Sequence, residues 1–330
     1  MKIILNLFLL SFIGLFFGCK EDSPVSGNTN AAESYNWSVM DSPATYMSDM
    51  SMGDDHSLFI VADSCYRIVE GASEQLHFAD ANFRPSQVKA LNKNYAVFLG
   101  YVSGILTLKI YDNGAIRNYT TDLSFYLGYE AKIFIDARDK FYIYGLSWRS
   151  YFIFENGKIT SHELSAENSP YIMGKINNVL YAITIRTNGS VGDTKVYKIL
   201  SSGNVEVYSQ YTPANNYFYT GNAFIRAYSN NSPYNYSYFK DNSWSNMFTG
   251  TDYMLPQVSG PSPNSTIVFY LDAGVYKAKI WDGVSLIEQT NFPQLPSFNN
   301  SQFFITEFKN GAFYFYSSGG AGKILKGVIK

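Results

Sequence analysis

Ile105-Leu106-Thr107-Leu108-Lys109-Ile110-Tyr111 leads into Asp112-Asn113-Gly114 and out again through Ala115-Ile116-Arg117-Asn118-Tyr119. Apolar and polar residues largely alternate on both sides of the turn, the period of a half-buried strand. Asn-Gly between two such runs is the strongest short-range hairpin signal, because both turn positions need positive φ. The arrangement recurs. Ile153-Phe154-Glu155-Asn156-Gly157 and Ile280-Trp281-Asp282-Gly283 are close copies. Ile68-Val69-Glu70-Gly71, Leu200-Ser201-Ser202-Gly203-Asn204 and Phe239-Lys240-Asp241-Asn242 are looser ones. Gly319-Gly320-Ala321-Gly322 makes a seventh, a glycine turn at a different place in its unit. A recurring hairpin predicts a repeat architecture.

The unit around the first stretch reads as four strands, Gln87–Leu91, Tyr95–Tyr101, Ile105–Tyr111 and Ala115–Tyr119. Second strands begin near residues 57, 95, 140, 179, 223, 266 and 312, in steps of 38 to 46. Four strands at that period is the blade of a propeller. The last unit (Gln302–Phe308, Ala312–Tyr316, Lys323–Ile329) has only three strands, while Tyr35–Met40 stands as an orphan before the first. Pairing the orphan with the last unit would close a ring and leave no long open edge. The chain thus resembles the β-propeller superfold over residues 35–330, with the architecture of WD40 and Kelch proteins. Their signatures do not repeat here: Trp281-Asp282 is a lone match, and paired Kelch glycines and Asp boxes are absent. The expected fold is all-β, a seven-bladed propeller closed by its N-terminal strand, with six or eight blades as neighbouring alternatives. A sandwich or solenoid would leave the missing outer strand unexplained.

Composition agrees. Aromatics are 17% of the chain, with 28 Tyr and 25 Phe, side chains that fit a pleated, half-buried surface. A net charge of -2 gives no electrostatic footprint for nucleic acid.

The N-terminus carries an address. Met1-Lys2 is followed by an almost wholly apolar run, Ile3 to Phe17, too short for a bilayer span of about 20 residues. A short apolar region ending at a small residue reads as a signal peptide, here residues 1–18. Phe16-Phe17-Gly18-Cys19 resembles the lipobox of bacterial lipoproteins, which implies cleavage before Cys19 and lipidation of its sulfur. Phe16 and Phe17 replace the usual Leu and small residue. Lys20-Glu21-Asp22 resembles the surface-export signals of some Bacteroidetes lipoproteins, and equally the start of a solvated linker. Residues 19–34 hold almost no large apolar side chain and read as a tether reaching about 50 Å at ~3.3–3.6 Å per residue. The resemblance implies a lipid-anchored protein of the bacterial cell envelope, at the outer membrane and exposed at its surface. Cys65 is then the one remaining cysteine, without a disulfide partner, and reads as a small buried hydrophobe.

Chemistry is sparse. His56, His77 and His162 fall in different units without metal-ligand spacing, and Asp54-Asp55-His56 reads as a turn. Ser318 to Lys323 lacks the Ser or Thr and the helix of a phosphate loop, so it reads as a hairpin. Neither a Gly-x-Ser-x-Gly elbow nor a Ser-His-Asp grouping stands out. No metal and no cofactor are expected, and a monomer is. The candidate ligand-binding residues lie where second strands turn into third ones: Tyr101, Trp148, Arg149, Arg186, Tyr228 and Asp272. In propellers these loops line one face, and aromatics with Arg are enriched in binding hot spots. The competing reading is that the rings only cover neighbouring blades. The polar segments Thr187–Thr194 and Ser229–Pro233 are expected as longer loops. The expected function is binding of a protein or glycan through one face of the ring. A carbohydrate-active hydrolase or lyase on the same propeller is the alternative, marked by two convergent carboxylates and a nearby Arg in the central funnel. A scaffold without a small ligand is the third reading.

Overall fold

The computed structural model describes residues 35–78, 80–124, 131–145, 148–165, 169–188, 191–213, 215–228, 233–250, 254–293, 295–296, 303–317 and 322–330. The signal peptide, Cys19 and the tether lie outside the described residues, as does most of the turn at Gly319–Gly322.

The strands form seven antiparallel sheets, each taken in chain order from its first strand to its last. The first strands of blades 1 to 7 are Asp49–Met52, Arg84–Asn92, Ala131–Ala137, Ser169–Ile176, Asn215–Tyr219, Met254–Ser262 and Phe303–Ile305. Each first strand touches those of the two flanking blades, and that of blade 7 touches that of blade 1, so the ring is closed with these strands innermost. The molecule is a seven-bladed propeller. Blade 6 adds a short strand, Leu295–Pro296, paired with Val275 and Tyr276.

Blade 7 is made from both ends of the described chain. Tyr35–Asp41 is its outermost strand, antiparallel to Lys323–Ile329, in unbroken register from Tyr35↔Ile329 to Asp41↔Lys323. The strand closing the ring is therefore the orphan of the sequence. It is pinned by its aromatics: Tyr35 and Trp37 lie 5.4 and 5.7 Å from the Phe313 ring, and Trp37 meets Phe292 edge-on at 4.9 Å.

The apolar core is divided among the contacts between blades. Seven clusters of buried side chains fill the seams between successive blades, including that between blades 7 and 1. Successive strand residues point to opposite faces, so a second strand feeds two seams at once. In Tyr95–Val102, Tyr95, Val97 and Leu99 enter the seam with blade 3, while Ala96 and Phe98 enter the seam with blade 1. Fourth strands face water: Lys158–Glu163 is almost entirely exposed.

The turns behave as their residues demand. Asn113-Gly114, Asn156-Gly157 and Glu70-Gly71 each carry positive φ at both positions, and the flanking pairs (Asp112↔Ala115, Glu155↔Lys158, Val69↔Ala72) leave two-residue loops. One expectation is corrected. Thr187–Thr194 is not a long loop but the tip of a hairpin, with Thr187↔Gly192 and Asn188↔Val191 paired and only residues 189–190 outside the description. Thr187, Val191 and Thr194 are β-branched and suit a strand, and the ladder bonds satisfy backbone groups a loop would leave to solvent. Most of Ser229–Pro233 lies outside the described residues.

Candidate functional site: the central channel

The first strands place one wall of each blade around a common cavity of about 240 Å³, and residues from all seven blades line it. Its charged members come from separate places in the sequence. Asp49 is on the first strand of blade 1, Lys89 on that of blade 2, Lys132 on that of blade 3, and Glu307 follows that of blade 7. Lys89 Nζ donates to Glu307 Oε1 at 2.8 Å, reaching past blade 1 to join blades 2 and 7. Asp49 Oδ2 accepts the Val88 N–H at 2.9 Å, and Ser51 Oγ accepts that of Ala90 at 3.0 Å, so blade 1 is sewn to blade 2 beneath the ion pair. Toward one mouth, Lys309 donates to the Ala90 carbonyl at 3.1 Å and lies 3.5 Å from Asp54.

Electrostatics tie the cluster together. Burial pushes the Asp49 carboxyl up to about 6, against the pull of Lys89 and the Val88 N–H. Burial opposes charge on Lys89 as well, but Glu307 and Asp49 outweigh it and hold the ammonium above its ordinary value. Glu307 is disfavoured by burial and yet held below the usual carboxylate range by Lys89 and Lys309. Lys89 and Glu307 are therefore an ionised pair, and Asp49 is the group of the channel that titrates near neutrality.

Aromatic hydroxyls complete the wall. Burial pushes Tyr144 up to about 12. The Tyr219 hydroxyl accepts the Lys175 N–H at 3.1 Å and points at the carbonyls of Gly221 (2.6 Å) and Lys175 (2.8 Å), locking blade 5 to blade 4. Gly174 is required for this contact, because a Cβ there would lie 2.5 Å from Tyr219 Cδ2. Lys132 Nζ sits 4.3 Å over the Tyr171 ring. With two carboxylates and two ammonium groups the cavity wall is balanced in charge, and among the described residues no Arg lines it.

The residues proposed from sequence stand where second strands give way to third ones, and none of them lines this cavity. Tyr101 packs against the seam of blades 2 and 3, and Trp148 is buried in it, edge-on to Phe152 at 5.5 Å. Arg149 is exposed, and its carbonyl receives the Leu164 N–H at 3.0 Å. Arg186 pairs in register with Asp193, and its side chain lies outside the description. Tyr228 lies under the Arg226 guanidinium at 4.7 Å. Asp272 is exposed and bonded to Lys277 Nζ at 2.5 Å. The contacts of Arg149, Tyr228 and Asp272 run to Leu164, Arg226 and Lys277, none of them among the six. His56 is in a turn and contacts the Asn310 carbonyl at 2.9 Å, and the described residues contain no group of three metal-ligating side chains. Cys65 is buried, which pushes its thiol up to about 12. The channel residues missed from sequence had one signal, a polar–apolar alternation in Gln87-Val88-Lys89-Ala90 whose polar side faces the cavity.

No protein-family model and no curated protein matches the chain. Solved structures do. YCF48 bound to D1 peptide superposes with a TM-score of 0.60 at 13% identity, over 91% of this chain and 100% of that one. Virginiamycin B lyase from Staphylococcus aureus gives 0.57 at 12%, over 90% and 100%. BamB from Moraxella catarrhalis gives 0.52 at 13%, over 86% and 83%. The likeness is one of fold. At these identities it carries no residue roles, and proteins on this fold do unrelated things.

Proposed function

We propose that the chain is a lipid-anchored propeller of a bacterial cell envelope, held through Cys19 at the outer membrane, which binds a protein partner through the mouth of its channel. The observation that carries this reading is the cavity itself. It is lined from all seven blades, and every blade but the fourth, which supplies Ile172 and Met173, adds a polar or charged side chain. About 240 Å³ is below the ~300–1,000 Å³ of typical small-molecule pockets, a size for one inserted side chain or the tip of a loop. YCF48 has been seen with a peptide on this fold, which supports a protein ligand over a glycan. The tether and anchor come from the lipobox resemblance at Phe16–Cys19.

A photo-crosslinking residue at Gln257, which lines the cavity, should give a discrete protein adduct in cells, and one at exposed Ser73 should not. Equal adducts from both positions, or retention on a glycan array with no adduct, would overturn the assignment. Cys19→Ala should abolish labelling by a fatty-acid analogue; labelling that persists contradicts the anchor. A second reading rests on Asp49. A carboxyl raised to about 6 beside an ionised Lys89–Glu307 pair suits the acid–base group of a hydrolase or lyase acting on carbohydrate. Release of reducing ends from envelope polysaccharide, lost in Asp49→Asn, would favour it.

A further inference from the structure

Arg226 is buried, 6% exposed, on the second strand of blade 5 (Phe224–Tyr228). Among the described residues no carboxylate pairs with it, and its Nε has no hydrogen-bond partner. It lies against two rings instead, with the guanidinium carbon 4.7 Å from the centroids of both Tyr228 and Trp244. Register puts these rings on opposite sides. Arg226 pairs with Ser237, which pairs with Asn246 two places from Trp244, while Tyr228 lies two places the other way. Trp244 Nε1 is a second buried donor without a partner. Buried polar groups are nearly always satisfied, so two orphan donors in one cluster ask for an acceptor. An unpaired buried cation is costly, and flanking rings offset only part of that cost.

We propose that Arg226, Trp244 and Tyr228 form a receptor for a carboxylate, separate from the channel. The two rings lie in opposite directions along the strands from Arg226, and the N–H edge of the guanidinium is left to meet an acceptor. That edge is a planar fork matched to two coplanar oxygens, and the indole N–H adds a further donor. A flat carboxylate offers that planar fork two coplanar oxygens, whereas a phosphate is tetrahedral. The carboxylate comes from an acidic side chain or chain end of a polypeptide, or from a small free acid.

Tryptophan fluorescence of the lipid-free protein (residues 20–330) reads the site directly. Glutarate represents the free acid, a hexapeptide with a free C-terminus the polypeptide, its C-terminal amide the control, and inorganic phosphate the competing anion. The expected result is a saturable change with glutarate or the free-acid peptide, weakened at least tenfold in Arg226→Met, partly retained in Arg226→Lys, and absent from Trp244→Phe. Tighter binding of the peptide than of glutarate, lost in the amide, assigns the site to chain ends; the reverse assigns it to small acids. Arg226→Met should also keep or raise the melting temperature, because it removes an uncompensated charge. No saturable change with either acid, an equal response in Arg226→Met, or phosphate binding as tightly as the acids overturns the assignment.

Discussion

The seams between blades and the wall of the channel are built by neighbouring strands of the same sheets, yet they carry opposite chemistry. In the seam of blades 6 and 7, Phe315 stacks on Phe269 at 4.5 Å and meets Tyr276 at 5.6 Å, ring against ring. In the channel, Lys89 is bonded to Glu307 and held electrostatically by Asp49 on the wall of a cavity of about 240 Å³. The seams hold the ring, and any apolar residue of suitable volume serves there. The channel wall is where the proposed recognition would take place, and its charged side chains are coupled to one another.

That contrast can be broken by substitution. Phe315→Ala should cost about 3–5 kcal/mol, the usual price of emptying a buried ring site, read from chemical denaturation; a loss under about 1 kcal/mol would mean the seams are not the main support. Lys89→Met takes from Asp49 and Glu307 the cation they share and leaves Glu307 only Lys309. Breaking a fully buried pair costs ~3–5 kcal/mol, and since side chains here are 31% and 20% exposed to the channel, about 1–2 kcal/mol is expected. Glu307→Gln added to it should recover part of the loss, and an additive double mutant would deny the coupling.

Asp49 gives a pH signature. Its carboxyl is raised in the folded state from 3.8 to about 6, so the folded chain holds a proton that the unfolded chain has released. Its contribution is therefore fully present below the unfolded value and is lost as pH rises through about 6. Asp49→Asn should thus be more stable than the native chain above pH 6, by on the order of 1–3 kcal/mol at ~1.36 kcal/mol per unit. The advantage should vanish as pH falls through 4; a difference independent of pH contradicts the buried titration. The smallest effect belongs to the turns. Gly114→Ala, at φ 86, should cost about 1 kcal/mol in a thermal melt without moving the pH profile.

The same contrast explains what could be read in advance. Asn113-Gly114 and its copies show the hairpins, because a two-residue turn with positive φ is written in two adjacent residues. The closing strand was legible from the strand count, because the last unit has three strands and Tyr35–Met40 stands as an orphan before the first. The channel was not. Lys89 and Glu307 stand 218 positions apart, and only the closed ring brings them within 2.8 Å. Polar residues alternating in a strand normally face solvent, and whether that face turns to bulk water or to the cavity depends on which strand is innermost. Aromatics near turns, such as Trp148, drew attention because a ring there is either a ligand platform or seam filling, and periodicity is the same for both. Arg226 was hidden in Phe224-Ile225-Arg226-Ala227-Tyr228, where one charge interrupts a strand that is otherwise apolar.

The account stands on a ring whose last blade is completed by the start of the chain. Deleting Tyr35–Asp41 removes an outer strand paired over seven residues and the two rings packed on Phe313. Thermal unfolding of the deletion beside the intact domain tests this most directly. A melting temperature lower by 10 °C or more, with a broadened transition, is the expected result, and an unchanged melting temperature would contradict closure by this strand.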